Sequence, residues 1–146
     1  MYTRHKISLL LLFLLVTVEA WCLELEVNEE LNSNIISLLG IVFGFTIAAV
    51  TAMSGTNFLR FQSKVVDTNT KGVQMTNAQR LKEYFEFSCT IGLFSILLMV
   101  IFGIVPEGWL RLNIVCPLTY GLLFLNLCSS YFVLKLVLKY FAESVD

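Results

Sequence analysis

The sequence predicts an all-α polytopic membrane protein with four transmembrane helices, both termini in the cytoplasm, and a basic cytoplasmic loop joining helices 2 and 3. Three observations carry this. Of the 146 residues 57% are hydrophobic, with a mean hydropathy of +0.78, more apolar surface than a soluble domain of this size can hide in one core. The apolar residues gather in four runs, at about 7–23, 35–53, 87–105 and 113–134, each close to the roughly 17–25 residues that cross a bilayer. Nine of the ten lysines and arginines lie before the first run, between the second and third, or after the fourth, and such a bias marks the cytoplasmic side. The chain reads as a single transmembrane domain over residues 1–146.

The first run follows Arg4, His5 and Lys6. It fits a signal-peptide core with Val18 and Ala20 as a small-residue cleavage site, or an uncleaved first helix. Extension through Trp21 and Leu23 brings it to about 17 residues, the lower limit for a span, and favours the uncleaved helix with Trp21 as an interfacial anchor. The stretch 24–34 that follows holds Glu24, Glu26, Glu29 and Glu30 without a basic residue. It reads as a short external loop in which Asn32, Ser33 or Asn34 caps the next helix.

The second run, 35–53, is expected to organise the packing. Gly40, Gly44, Ala48 and Ala52 recur every four residues, so they share one helix face. Helices in lipid associate where small residues let backbones approach closely, and Gly40 to Gly44 is a GxxxG step. The seam serves packing inside one subunit or self-association into a homo-oligomer; both stay open. A polar loop, 57–86, then carries Arg60, Lys64, Lys71, Arg80 and Lys82, a basic surface suited to a cytoplasmic protein partner. Residues 67–72 form a turn cluster. Thr76 and Gln79 have the spacing of a capping box, which predicts a helix running from there into the third span.

Ser88, Gly92 and Ser95 give the third run a second, weaker small-residue face. The chain turns outside at Pro106, Glu107 and Gly108, with Trp109 at the interface. Pro117, near the start of the fourth run, suits a helix beginning, where a missing amide costs least; a functional kink is the alternative. Asn126 falls near mid-membrane, and Thr119, Asn126 and Ser130 share a face. An amide exposed to lipid is expensive, so this face makes a structural contact between helices or lines a polar cavity or pore.

Other chemistry is sparse. Net charge is −1, which argues against direct nucleic-acid binding. His5 is the only histidine, and no phosphate-cradling glycine loop, GxSxG or HExxH occurs. Glu83 and Glu86, one helical turn apart, form a carboxylate pair or, the plainer reading, a solvated helix end, and Glu19 snorkels outward or caps an ion path. Cys22, Cys89, Cys116 and Cys128 have no metal-binding spacing. A Cys22–Cys116 disulfide at the outer surface is open, with two apolar-packed thiols the plainer reading. No enzyme, metal or cofactor is expected.

The order of parts, a short first span, then ISLLGIVFGFTIAAVTAM, then a basic loop leading through RLKEYFEFSCTIGLF into the third span, resembles small four-span bacterial proteins of prophage and phage-defence modules, such as the membrane subunit of the Kiwa defence system. The resemblance implies an oligomeric sensor or scaffold at the inner membrane working with a cytoplasmic partner through residues 58–86. Two other readings stay open: a pore-forming, holin-like effector, with Thr119, Asn126 and Ser130 on a shared axis, and an immunity protein against a pore-forming toxin.

Overall fold

A computed structural model describes residues 3–54, 76–104, 108 and 111–142. The described chain is helical: α1 (Thr3–Cys22), α2 (Glu29–Ser54), α3 (Asn77–Ile104) and, after a π-helical turn at Arg111–Val115, α4 (Cys116–Ala142). Four stretches, Arg4–Cys22, Glu29–Thr51, Asn77–Ile104 and Asn113–Tyr140, are long and apolar enough to cross a membrane. Their outward faces carry Leu10, Leu11, Leu14, Leu15, Ile41, Phe45, Leu93, Phe94 and Leu97 among other exposed large side chains. A surface this apolar is costly in water and suited to lipid.

Local chemistry sets the helix ends. α1 closes in a Schellman motif: Leu25 N–H donates to Ala20 O at 3.1 Å and Glu24 N–H to Trp21 O at 3.2 Å. Glu24 holds the left-handed position at φ 50° that glycine usually takes. α2 begins at Glu29, six residues before the apolar run, because Asn28 caps it: Asn28 Oδ1 accepts from Leu31 N–H at 2.7 Å. Glu29 and Glu30 in the first turn complement the helix dipole. Asn32, Ser33 and Asn34, the expected caps, are therefore inside the helix. The Thr76–Gln79 capping box forms reciprocally, with Thr76 N–H donating to Gln79 Oε1 at 3.0 Å and Gln79 N–H to Thr76 Oγ1 at 3.2 Å. α3 runs without a break from this cap through the apolar stretch.

Pro117 lies in the first turn of α4, directly after the π turn. Its ring cannot donate to the carbonyl four residues back and crowds it. The wider π turn accommodates that crowding, so Pro117 behaves as a helix-beginning residue.

Two apolar clusters tie the bundle at its ends. One joins Ile35 and Leu39 of α2 to Met99 of α3 and Leu122 of α4, with Phe13 of α1 against it. The other joins Leu81 and Tyr84 of α3 to Val133, Leu136, Val137 and Tyr140 of α4, with Val50 of α2. The start of α2 thus meets the end of α3 and the start of α4, and each helix runs antiparallel to its chain neighbour. α4 packs against α1, α2 and α3, whereas α1 packs mainly on α4. The hub is therefore α4, not the glycine-seamed α2 that the sequence suggests.

Gly121 makes the α1–α4 approach close enough. A Cβ built there meets the Thr17 hydroxyl and lies 2.9 Å from Phe13 Cε2, inside any real carbon contact. At the far end of this contact His5 stacks on Phe132, with centroids 5.0 Å apart and planes 6° apart, and hydrogen-bonds the Tyr84 hydroxyl. The first turns of α1 and α3 and the last turns of α4 thus share one end of the bundle. Gly121→Val should force α1 off α4 and cost about 1–3 kcal/mol, read as a lowered thermal midpoint in detergent; an unchanged midpoint would mean that α1 does not pack through Gly121.

Candidate functional site: a hydroxyl and amide layer between α3 and α4

Between the two apolar clusters lies a layer of small and polar side chains. α3 presents Ser88, Gly92 and Ser95, all buried. α4 opposes them with Asn126 and Ser129, both buried, and with the half-buried Ser130. Ser88 Oγ is 3.4 Å from both Ser129 Oγ and Ser130 Oγ, so the three hydroxyls bridge the two helices. Ser129 Oγ also donates to Asn126 O at 2.9 Å.

Asn126 is 1% exposed and sits across Gly92. A Cβ on Gly92 lies 3.3 Å from Asn126 Nδ2 and 2.8 Å from Phe43 Cδ2 of α2, so three helices converge where only hydrogen fits. Asn126 Nδ2 and Ser95 Oγ, each fully enclosed, have no hydrogen-bond partner. An orphaned buried donor keeps its whole desolvation cost. Ser95 is 0% exposed on the same face as Gly92, one turn along α3.

Thr119, the third member of the face expected from the sequence, lies elsewhere. It is 1% exposed, donates to Val115 O at 3.0 Å, and lines a separate void of about 10 Å³ with Asn32 and Cys116. Ser130 and Asn126 stay together in the layer. Thr46 of α2 bonds its own helix, donating to Val42 O at 2.8 Å. The sequence singles out Ser88, Gly92, Ser95 and Asn126 as two separate faces; Phe43 and Gly121 carry no pattern that marks them beyond a single glycine inside an apolar run.

The α2 seam turns away from all of this. Gly40, Gly44 and Ala48 are exposed, and a Cβ built on either glycine meets nothing within 4 Å. They lie nearly opposite Ile35, Leu39 and Thr46, which face the bundle. Ala52 continues the helix, but its side chain is outside the described residues.

Charge gathers at the end where α1 begins. Arg4, Lys6, Lys82, Lys135 and Lys139 are exposed there. Arg80 is half-buried, its guanidinium 5.9 Å from the Tyr84 ring centroid. Lys82 pairs with Glu86 at 3.6 Å. Lys6, Glu83, Glu86, Phe87 and Thr90 line a polar groove between α1 and α3, with Lys6 Nζ 5.9 Å from the Phe87 centroid. Arg60, Lys64 and Lys71 lie outside the described residues. Glu19 is exposed near the opposite end of α1. All four cysteines are free thiols, so Cys22 and Cys116 do not pair. Among the described residues no three metal-binding side chains converge.

Fold and layer together define a four-helix bundle of membrane-length helices with an enclosed polar stratum. The chain matches no protein-family model, no curated protein and no solved structure.

Because its amide has no partner, Asn126→Leu removes a buried cost without removing a bond. It should leave the thermal midpoint unchanged or raised. Ser88→Ala, which breaks the interhelical hydroxyl bridge, should lower stability by about 0.6 kcal/mol, an average for such contacts. A large loss of stability in Asn126→Leu would show that the amide is bonded in the bilayer.

Proposed function

We propose that this chain is a non-enzymatic, self-associating membrane component: a sensor or scaffold of a bacterial antiviral defence module at the inner membrane, working with a cytoplasmic partner. The outward face of α2 carries the reading. Gly40 and Gly44 present bare backbone and Ala48 a single methyl to the surroundings, and in lipid such a face gains by meeting another helix closely. Among the described residues nothing lies within 4 Å of a Cβ built on Gly40 or Gly44.

Orientation follows from charge. Six of the seven described lysines and arginines lie at the end where α1 and α3 begin and α4 ends, and Arg111 lies at the other. By the positive-inside rule we read the first end, with both termini and the 57–86 loop, as cytoplasmic. Lys82, Lys135 and Lys139 are exposed there for a partner, whereas Arg80 is engaged with Tyr84. The resemblance to small four-span proteins of phage-defence modules supplies the context of the proposal. The pore reading has less support, since Asn126 and Thr119 are enclosed by the subunit's own helices and could line a shared axis only after the bundle opened.

Particle mass in detergent tests the self-association. The native chain should run as a multiple of 16.6 kDa, and Gly44→Leu, which meets no neighbour inside the subunit, should fall to single-subunit mass with its thermal midpoint retained. A native particle of one subunit, or a Gly44→Leu oligomer, would overturn the role of the seam. Membrane potential separates scaffold from pore: induction of the native chain in bacteria should leave it unchanged, and depolarisation lost in Asn126→Leu would favour the pore.

A further inference from the structure

The polar groove of about 420 Å³ between α1 and α3 lies where two apolar runs begin. Lys6 directly precedes the first run and Glu86 the third, so in a bilayer these charges stand at headgroup level, with Phe87 and Thr90 just inside. Glu83, Glu86, Phe87 and Thr90 recur at i, i+3, i+4 and i+7 and form one face of α3; Lys6 of α1 lines the same groove. Leu10, one turn on from Lys6, and Phe94, one turn on from Thr90, are both more than half exposed, an apolar strip that continues from the groove into the core. We propose that the groove binds the headgroup of a phospholipid with a primary amine, such as phosphatidylethanolamine. Its phosphate meets Lys6, its ammonium donates to Glu86 and Thr90, and an acyl chain follows Leu10 and Phe94.

Charge selects the occupant. Among the described residues no carboxylate pairs with Lys6, whose Nζ lies 5.9 Å from the Phe87 centroid. Both signs thus line one groove without Lys6 being neutralised, and a molecule that carries both, close together, complements it better than one that carries either. Glu86 pairs with Lys82 at 3.6 Å, and both side chains are well exposed. Such a pair contributes little, and the carboxylate has lone pairs for further donors. Thr90 Oγ1 donates its hydrogen to Glu86 O at 2.8 Å, so its oxygen is left to accept. Glu83 and Glu86 balance Lys6 and Lys82, and a site so near neutral gives an anionic headgroup no net attraction. A trimethylated amine brings the same charge as a primary one but no N–H to donate. The groove belongs to α1 and α3, so its occupancy does not rest on the self-association proposed over α2.

Native mass spectrometry of the full chain, reconstituted with equimolar phosphatidylethanolamine, phosphatidylcholine and phosphatidylglycerol of identical acyl chains, tests this. The native protein should retain phosphatidylethanolamine over each of the others by about tenfold, as one charge-assisted hydrogen bond allows. Glu86→Gln should bring the ethanolamine-to-choline ratio close to one. Lys6→Gln should lower retention of both lipids by a similar factor and leave their ratio unchanged, since both carry the phosphate. Lys6 and Glu86 are exposed, so each variant should keep the native thermal midpoint, which a scan checks. Equal retention of the three lipids by the native protein, or an ethanolamine preference that survives Glu86→Gln, would overturn the assignment. Preferred retention of phosphatidylglycerol would overturn it in favour of a general attraction to the lysine-rich end. Lipid retention that neither variant alters would overturn it too, and would leave the groove to a cytoplasmic protein partner.

Discussion

Close backbone approach to α4 is the constraint on which the rest of the bundle depends. Lipid removes the hydrophobic drive that would otherwise press helices together, so contact must come from dispersion between surfaces that fit. α4 achieves this on two sides with different devices. Toward α1 it offers its own glycine, Gly121, to Phe13 and Thr17; toward α3 it offers Asn126, Ser129 and Ser130 to a face whose centre is Gly92. The apolar clusters at either end then hold α2 in place through Ile35, Leu39 and Val50.

Polar groups are divided between the middle and the ends in a way that fits this packing. The middle holds short neutral side chains, which bond across a narrow interface and keep two helices near each other. At one end sit Arg4, His5, Lys6, Arg80, Lys135 and Lys139, and the opposite end holds Glu24, Glu26, Glu29 and Glu30. Tyr120 anchors that acidic turn by donating its hydroxyl hydrogen to Glu26 O at 3.2 Å. Each end is thus stitched from residues far apart in the chain.

Much of this was legible in the amino-acid order, and the limit is physical. Hydropathy over about twenty residues finds spans because bilayer thickness is a fixed length, and all four appear. The Thr76–Gln79 cap was readable because a capping box is made within four residues. The start of α2 was not, since Asn32, Ser33 and Asn34 have the chemistry of caps and only Asn28 has the position. Hub identity is hidden in the sequence for a deeper reason. A repeated pattern such as Gly40, Gly44, Ala48 stands out in a sequence, but whether it faces a neighbour depends on residues elsewhere. Gly121, a single glycine in an apolar run, does the close packing, and nothing local distinguishes it.

The dependence of α1 on α4 carries a consequence for biogenesis. Thr17 and Gly121 are separated by more than a hundred residues, so α1 is synthesised well before α4, its main partner. Until α4 follows, the exposed leucines of α1 can be satisfied by lipid, but Phe13 and Thr17 face no groove. Contacts across such a separation carry a larger loop-closure cost than those between chain neighbours. A chain interrupted before residue 121 lacks the surface that Phe13 and Thr17 of α1 and Ser88 and Gly92 of α3 pack against, so the α4-binding faces of α1 and α3 are both open.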